Sequence, residues 1–413
     1  VQPLDESIAI PAARRPHIVL FVLESLRYTA FAADTMPRLC RRAEQGLRGG
    51  QHYAGSNLSH YGLFSLLYGR SPLVFDQTLD AQVPPQLCHT LKQNGYTTSF
   101  ITSGECDDWQ RMGEFLNHRT FDRVLTHDDA SWVDRDRKTL ELVRRTLREA
   151  PADQPQFVVA FLMCTHFNYE FPPESAVHRP YAEDMSLLSL RNRTAVLNRY
   201  RNAAAFLDHA VDETIAGLDL EQTLVAVTGD HGESLMDDGM MFHGSKLSEI
   251  QTRVPFFLCG AGIEPGQVTL PTTHADLLPT IVGLLTERQT WTAGCHGRSM
   301  IGRTPDRRSE HVLLMHGVFN LVNLRTCERA LFIDRDLRLS VQLWRNEPTV
   351  RVTAFVNDRD QMLPTPDVSD ERLNELVDAF SDEMSQYTAV APPVPAVASG
   401  QAGTDPPVRR PES

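Results

Sequence analysis

Five short runs of β-branched, aromatic and aliphatic residues punctuate the chain: His17–Leu23, Thr97–Thr102, Phe157–Met163, Thr223–Thr228 and Val254–Leu258. Each is nearly continuously apolar rather than alternating, which predicts strands buried on both faces. Between them the apolar positions recur at helical spacing, at Leu140, Val143 and Leu147 within Asp136–Glu149 and at Ala204, Leu207, Val211 and Ile215 within Tyr200–Leu218. Strands alternating with helices predict a mainly parallel sheet covered on both faces, with sites gathered at the carboxyl ends of its strands. From about His311 the texture changes. Closely spaced strand candidates (Val312–Met315, Asn320–Leu324, Ala330–Ile333, Ser340–Leu343 and Val350–Phe355) predict a small antiparallel sheet, followed by a helix over Asp370–Met384. The expected organisation is a polar linker over 1–15, a large α/β domain over 16–310, a small β subdomain with its helix over 311–390, and a Pro-, Ala- and Gly-rich disordered tail over 391–413.

Composition narrows the function classes. The 413 residues carry 40 Lys+Arg against 53 Asp+Glu, a formal charge of −13, and the basic residues are scattered pairs such as Arg14–Arg15 and Arg144–Arg145. Nucleic acid is excluded as a partner on that balance, because phosphate backbones are held by clustered cations. No run approaches the roughly 18–20 apolar residues of a membrane-spanning helix. The chain opens at Val1, and Val1–Arg15 is expected to follow a membrane anchor. The seven cysteines include no C-x-x-C pair and point to neither a zinc framework nor a disulfide scaffold.

Three segments carry chemistry. Asp230-His231-Gly-Glu closes the apolar run Thr223–Thr228, so a carboxylate and an imidazole stand where a strand ends, suited to a divalent cation; the plainer reading has Asp230 capping a helix and His231 packed. Glu24 directly follows the six apolar residues Ile18–Leu23, and burying it requires a metal or a salt bridge, for which Arg27 is the nearby candidate. Glu24, Asp230 and His231 offer mixed O and N ligands for Mn²⁺, Mg²⁺ or Zn²⁺, with Ca²⁺ a poorer fit. Ser59 stands where a polar loop runs into the apolar stretch Tyr61–Tyr68, as a helix N-cap, a nucleophile, or both.

The order strand–Glu24, Ser59 opening a helix that ends in Tyr-Gly69-Arg70-Ser-Pro, Thr165-His166, then Asp230-His231-Gly-Glu resembles the sulfatase branch of the alkaline phosphatase superfamily. Ser59 lies ten residues before Gly69, the register of the residue that sulfatases convert to formylglycine, but Tyr61 and Leu63 replace the Pro and Arg of that maturation signal. The departures are similar to the membrane-anchored relatives: lipoteichoic acid synthases, phosphoethanolamine transferases and inner-membrane sulfatase-like proteins. That resemblance implies an alkaline-phosphatase-like α/β fold with a central mainly parallel sheet flanked by helices and a small C-terminal antiparallel subdomain.

It further implies a metal-dependent phosphodiester hydrolase or phosphoryl transferase with Ser59 as nucleophile and as a ligand, beside Glu24, Asp230 and His231, of one divalent metal ion. His166 and His243 would face the substrate and protonate or bind the departing oxygen, with His60 a weaker candidate. Trp109 and Arg111, in Asp108-Trp-Gln-Arg, resemble the pair lining the glycerophosphate pocket of lipoteichoic acid synthases, without the histidine expected just before it; the plainer reading of Trp109 is an aromatic covering loop. The implied substrate is a phospholipid headgroup or a lipid-linked glycan, and the implied location extracytoplasmic (periplasmic) and membrane-tethered. Sulfate-ester hydrolysis and a catalytically weak lipid- or partner-binding module are the alternatives.

Overall fold

A computed structural model describes residues 8–106, 109–186, 190–286, 294–303, 311–317, 327–334, 337–344, 350–357, 359–364 and 368–385. The strands are β1 (His17–Leu23), β2 (Leu47–Tyr53), β3 (Thr97–Thr102), β4 (Arg123–Leu125), β5 (Gln156–Leu162) and β6 (Thr223–Gly229). They continue, past a hairpin of β7 (Ser234–Leu235) and β8 (Met241–Phe242), with β9 (Arg253–Val254), β10 (Phe256–Gly260) and β11 (Gly266–Thr273). The nine-stranded sheet runs β11-β2-β10-β6-β1-β5-β3-β4, with β9 against β2. Its centre is parallel, β1 lying between β5 and β6, while β10 is antiparallel to both its neighbours. The sheet is therefore mainly parallel, as the alternation of strands and helices predicts.

Period-two geometry sends successive β1 side chains to opposite cores. Ile18, Leu20 and Val22 join Phe157, Val159 and Phe161 of β5 under the helices Ser59–Tyr68, Gln86–Gln93 and Leu277–Thr286. Val19, Phe21 and Leu23 join Val158, Ala160 and Leu162 under Pro37–Glu44, Trp132–Arg148 and Arg193–Ala216. Continuous apolar runs are thus the price of two covered faces.

Asp136, fully buried in the helix Trp132–Arg148, accepts the backbone N–H groups of Met163 (2.8 Å) and Cys164 (2.9 Å) just past β5. It fixes the strand end from which the His166 loop departs. Asp136→Ala would strand two buried donors, and the urea unfolding free energy is expected to fall by about 2–4 kcal/mol, with Asp136→Asn losing less.

The C-terminal strands β12 (His311–Gly317), β13 (Cys327–Asp334), β14 (Leu337–Trp344), β15 (Val350–Val356) and β16 (Met362–Leu363) form one antiparallel sheet in chain order. Phe332, Leu339 and Val341 pack on Leu376 and Phe380 of the helix Asp370–Met384. The sheet meets the large one through Arg338, whose Nη2 donates to Glu249 Oε1 (2.6 Å), the oxygen that also accepts the Tyr53 hydroxyl (2.7 Å). The predicted strand Asn320–Leu324 and the predicted tail 391–413 lie outside the described residues. The second half of the expected linker is docked rather than free: Ile8 and Ile10 are buried, and Asn94 accepts Ile10 N–H (2.7 Å) and donates to the Ile8 carbonyl (2.6 Å). Among the described residues no helix is long and apolar enough to cross a membrane.

Candidate active site

Strand register brings the first two carboxylates together. Leu23 of β1 pairs with Gly229 of β6, so Glu24 and Asp230 are the next residues on adjacent parallel strands. The third strand end is tied in by Thr165, whose hydroxyl donates to the Glu24 carbonyl (2.6 Å). Ser25 turns the chain at φ 58°, and its N–H donates to Asp230 Oδ1 (2.8 Å), as does the N–H of His231 (2.8 Å). Arg27, the expected salt-bridge partner of Glu24, instead pairs with Asp237 (2.6 Å), which leaves Glu24 to the site.

The helix Ser59–Tyr68 docks on this edge through Gly62, where a Cβ would sit 2.2 Å from the Asp230 carbonyl oxygen. Gly62→Ala must push the helix away. The expected outcome is about 1–3 kcal/mol of lost stability with weakened cation binding, read by thermal unfolding with and without Mn²⁺. Ser59 is not the N-cap: Leu58 holds that position with extended backbone and Ser59 is the first helical residue. Its hydroxyl is therefore free of capping. It donates to Glu24 Oε1 (3.1 Å) and lies 3.1 Å from His231 Nε2. His231 Nε2 is also 3.4 Å from both Glu24 Oε1 and Asp230 Oδ2.

Glu24, Asp230 and His231 are buried, while Ser59 is half-buried and reachable. Burial, then the facing Glu24 carboxylate, pushes the Asp230 carboxyl well above the usual range. Burial pulls the His231 imidazole down to about 4 against the attraction of Asp230. No hydrogen-bond donor among the described residues reaches Glu24 Oε2 or Asp230 Oδ2. Two buried carboxylate oxygens without donors, beside an imidazole nitrogen and a hydroxyl, make a donor set that fits one divalent cation. His243 stands on the same cluster, since ligand atoms of Glu24, His231 and His243 lie within 4.8 Å of one another.

The remaining histidines separate by environment. His243 and His166 face each other with ring centroids 6.2 Å apart, both partly exposed beside the cluster. Burial disfavours the His243 imidazolium, but the Glu233 carboxylate 2.8 Å from Nδ1 overrides it and holds its pKa up at about 9. His60 is buried against Tyr61, and burial drives it down to about 3, which disfavours the imidazolium there. Trp109 is 59 % exposed. The Arg111 guanidinium is held by Asp76 (2.9 Å), Asp80 (2.8 Å) and Glu114 (2.6 Å), contacts that brace its loop.

Other residues of the site escape a reading of the sequence. Glu233, the last residue of the Asp-His-Gly-Glu motif, is fully buried between His243 and the Tyr169 hydroxyl (2.6 Å). The buried Gln251 accepts from Asn57 Nδ2 (3.0 Å) and from the N–H groups of Ser245 (3.3 Å) and Lys246 (3.2 Å), joining the Ser59 loop to the His243 loop. The motif itself was the signal for Glu233; nothing local marks Gln251.

The sequence pattern of the sulfatase family matches residues 16–287. The inner membrane protein YejM of Salmonella typhi is 24% identical over 271 residues, 64% of this chain and 41% of that protein. The chain thus spans about two fifths of the length of this curated relative. Among solved structures, an alkaline phosphatase superfamily protein from Vibrio parahaemolyticus superposes with a TM-score of 0.60 at 19% identity, covering 90% of this chain and 88% of that one. The lipoteichoic acid synthase LtaP of Listeria monocytogenes superposes with a TM-score of 0.62 at 15% identity, covering 94% and 95%. Since the family pattern takes in every strand of the large sheet and every residue that converges on its carboxyl edge, this chain belongs to the sulfatase family.

Proposed function

We propose that this chain is a metal-dependent phosphodiester hydrolase or phosphoryl transferase that acts through Ser59 on a phospholipid headgroup or a lipid-linked glycan. The observation that carries the reading is the Ser59 hydroxyl itself, uncapped at a helix N-terminus and set between Glu24 and His231. Tyr61 and Leu63, at the positions of the maturation signal, favour an unmodified serine over a formylglycine. Glu24, Asp230, His231 and Ser59 would hold one Mn²⁺, Mg²⁺ or Zn²⁺. Such an ion supplies positive charge that lowers the pKa of a hydroxyl and offsets charge on a phosphoryl oxygen.

In this reading Ser59 Oγ gives up its proton to solvent and forms a bond to phosphorus as the bond to the departing oxygen breaks, and His243 or His166 gives that oxygen a proton. Water or an acceptor hydroxyl then takes the phosphoryl group from Ser59, returning its proton to the histidine, while the released Ser59 Oγ regains a proton from solvent. The positive end of the Ser59 helix dipole favours the anion between these steps. Trp109 gives the headgroup an exposed aromatic face. The domain's net charge of −13 gives no bulk attraction to anionic lipid, so recognition is assigned to the pocket. The relation to an inner membrane protein supports an extracytoplasmic, membrane-tethered setting.

The test is a comparison of an aryl phosphodiester with an aryl sulfate on metal-stripped and Mn²⁺-loaded protein. Faster, metal-dependent cleavage of the diester is expected. Preference for the sulfate would assign sulfate-ester hydrolysis, and no cleavage of either with any metal would favour a binding module that keeps the fold.

A further inference from the structure

We propose that Glu233 and Tyr169 are positioning residues for His243: the Glu233 carboxylate accepts a hydrogen bond from His243 Nδ1–H, and the Tyr169 hydroxyl ties that carboxylate to the loop carrying His166. The inference deepens the proposed function, resting on its use of His243 at the departing oxygen. Glu233 is wholly buried, an expensive place for a carboxylate unless its oxygens are taken by donors. Each oxygen has one: Tyr169 Oη donates to Oε1 (2.6 Å), and His243 Nδ1 lies 2.8 Å from Oε2. Arg27 reaches only the Glu233 backbone carbonyl (3.3 Å) and pairs its charge with Asp237.

The direction of the His243 bond follows from its surroundings. Ser25 Oγ, 3.4 Å from Nδ1, already donates to Glu24 Oε1 (3.3 Å), so it can only accept from the ring. Both neighbours of Nδ1 are therefore acceptors, and Nδ1 carries a hydrogen. Nε2 is left as the nitrogen through which the ring acts. Tyr169 closes the other side. Its N–H donates to the His166 carbonyl (2.6 Å), and its backbone is held at φ 56°, a conformation costly for an aromatic residue and maintained here by the hydroxyl anchor. The path His166–Tyr169–Glu233–His243 is thus a chain of hydrogen bonds that sets the spacing of the two imidazoles.

The experiment uses the whole chain with its histidines ¹⁵N-labelled and diamagnetic Mg²⁺ present, observing the imidazole N–H protons by NMR. A downfield Nδ1–H resonance, assigned to His243 by its loss in His243→Asn, is expected. It should move upfield or vanish in Glu233→Gln. In Tyr169→Phe, which removes one oxygen and leaves the packing, it should persist at a shifted position, while kcat for the aryl phosphodiester falls about tenfold at unchanged KM. An Nδ1–H signal identical in wild type and Glu233→Gln, or a His243 that carries no proton on Nδ1, would overturn the inference whatever the activity. An inactive wild type whose signal still responds to Glu233→Gln would defeat the phosphodiesterase reading and support the positioning role.

Discussion

Ser59→Ala is expected to lower aryl phosphodiester turnover by about 10³-fold or more, since the residual rate after loss of a nucleophile comes only from binding and charge stabilisation. KM should hardly move, because the hydroxyl meets the phosphorus during reaction rather than gripping the substrate. Stability should change by less than ~1 kcal/mol: the side chain is half-buried and caps nothing. Ser59→Thr keeps an oxygen at the first helical position and is expected to retain activity within about tenfold of wild type. Steady-state kinetics of the three proteins, with thermal unfolding as the control for folding, decide it. Full activity in Ser59→Ala would remove the serine from the chemistry.

The second large effect is a reversal of sign at Asp230. In the absence of metal its carboxylate is buried against Glu24, so Asp230→Asn should stabilise the metal-free protein by replacing a repulsion with an amide that donates to Glu24. With metal the order inverts. Wild type at a hundredfold excess over Kd should gain about 2.7 kcal/mol, and Asp230→Asn should gain almost nothing. Elemental analysis after gel filtration should find close to one ion per chain in wild type and a small fraction of that in the variant. Undiminished metal in Asp230→Asn would mean that His243, with Glu24 and His231, completes a different ligand set.

The parts of this fold legible in the sequence are those whose signal is local and whose faces are both covered. Thr97–Thr102 and His17–Leu23 are strands at the predicted bounds because, past a half-buried first residue, every residue on them is buried. β2, Leu-Arg-Gly-Gly-Gln-His-Tyr, has no such run: its first five residues are exposed or half-buried, and its strand character is imposed by β10 and β11 on either side. β11, with Pro271 and an exposed beginning, is missed for the same reason. In the run Val254–Leu258, Pro255 splits off β9, and the strand proper, Phe256–Gly260, turns out antiparallel.

The site follows the same rule. Glu24 and Asp230 stand out because an acid ending an apolar run is costly without a purpose, and Ser59 because polar loop turns into apolar helix. The surroundings of Arg111 were not legible because the motif around it is local while two of its three carboxylate partners are not: Asp76 and Asp80 are brought to it only by the fold. Glu233 and Tyr169 lie 64 residues apart in the chain, and their bond has no sequence signature.

The central claim, that Ser59 carries the phosphoryl group, is tested most directly by acid-quenching the Mn²⁺-loaded protein during turnover of an aryl phosphodiester and mapping its peptides by mass spectrometry. The expected result is a phosphoryl adduct on Ser59 in wild type, absent from Ser59→Ala and formed together with a burst of up to one equivalent of the aryl alcohol. Turnover with a burst but with the adduct on another residue, or an adduct that survives in Ser59→Ala, would contradict it.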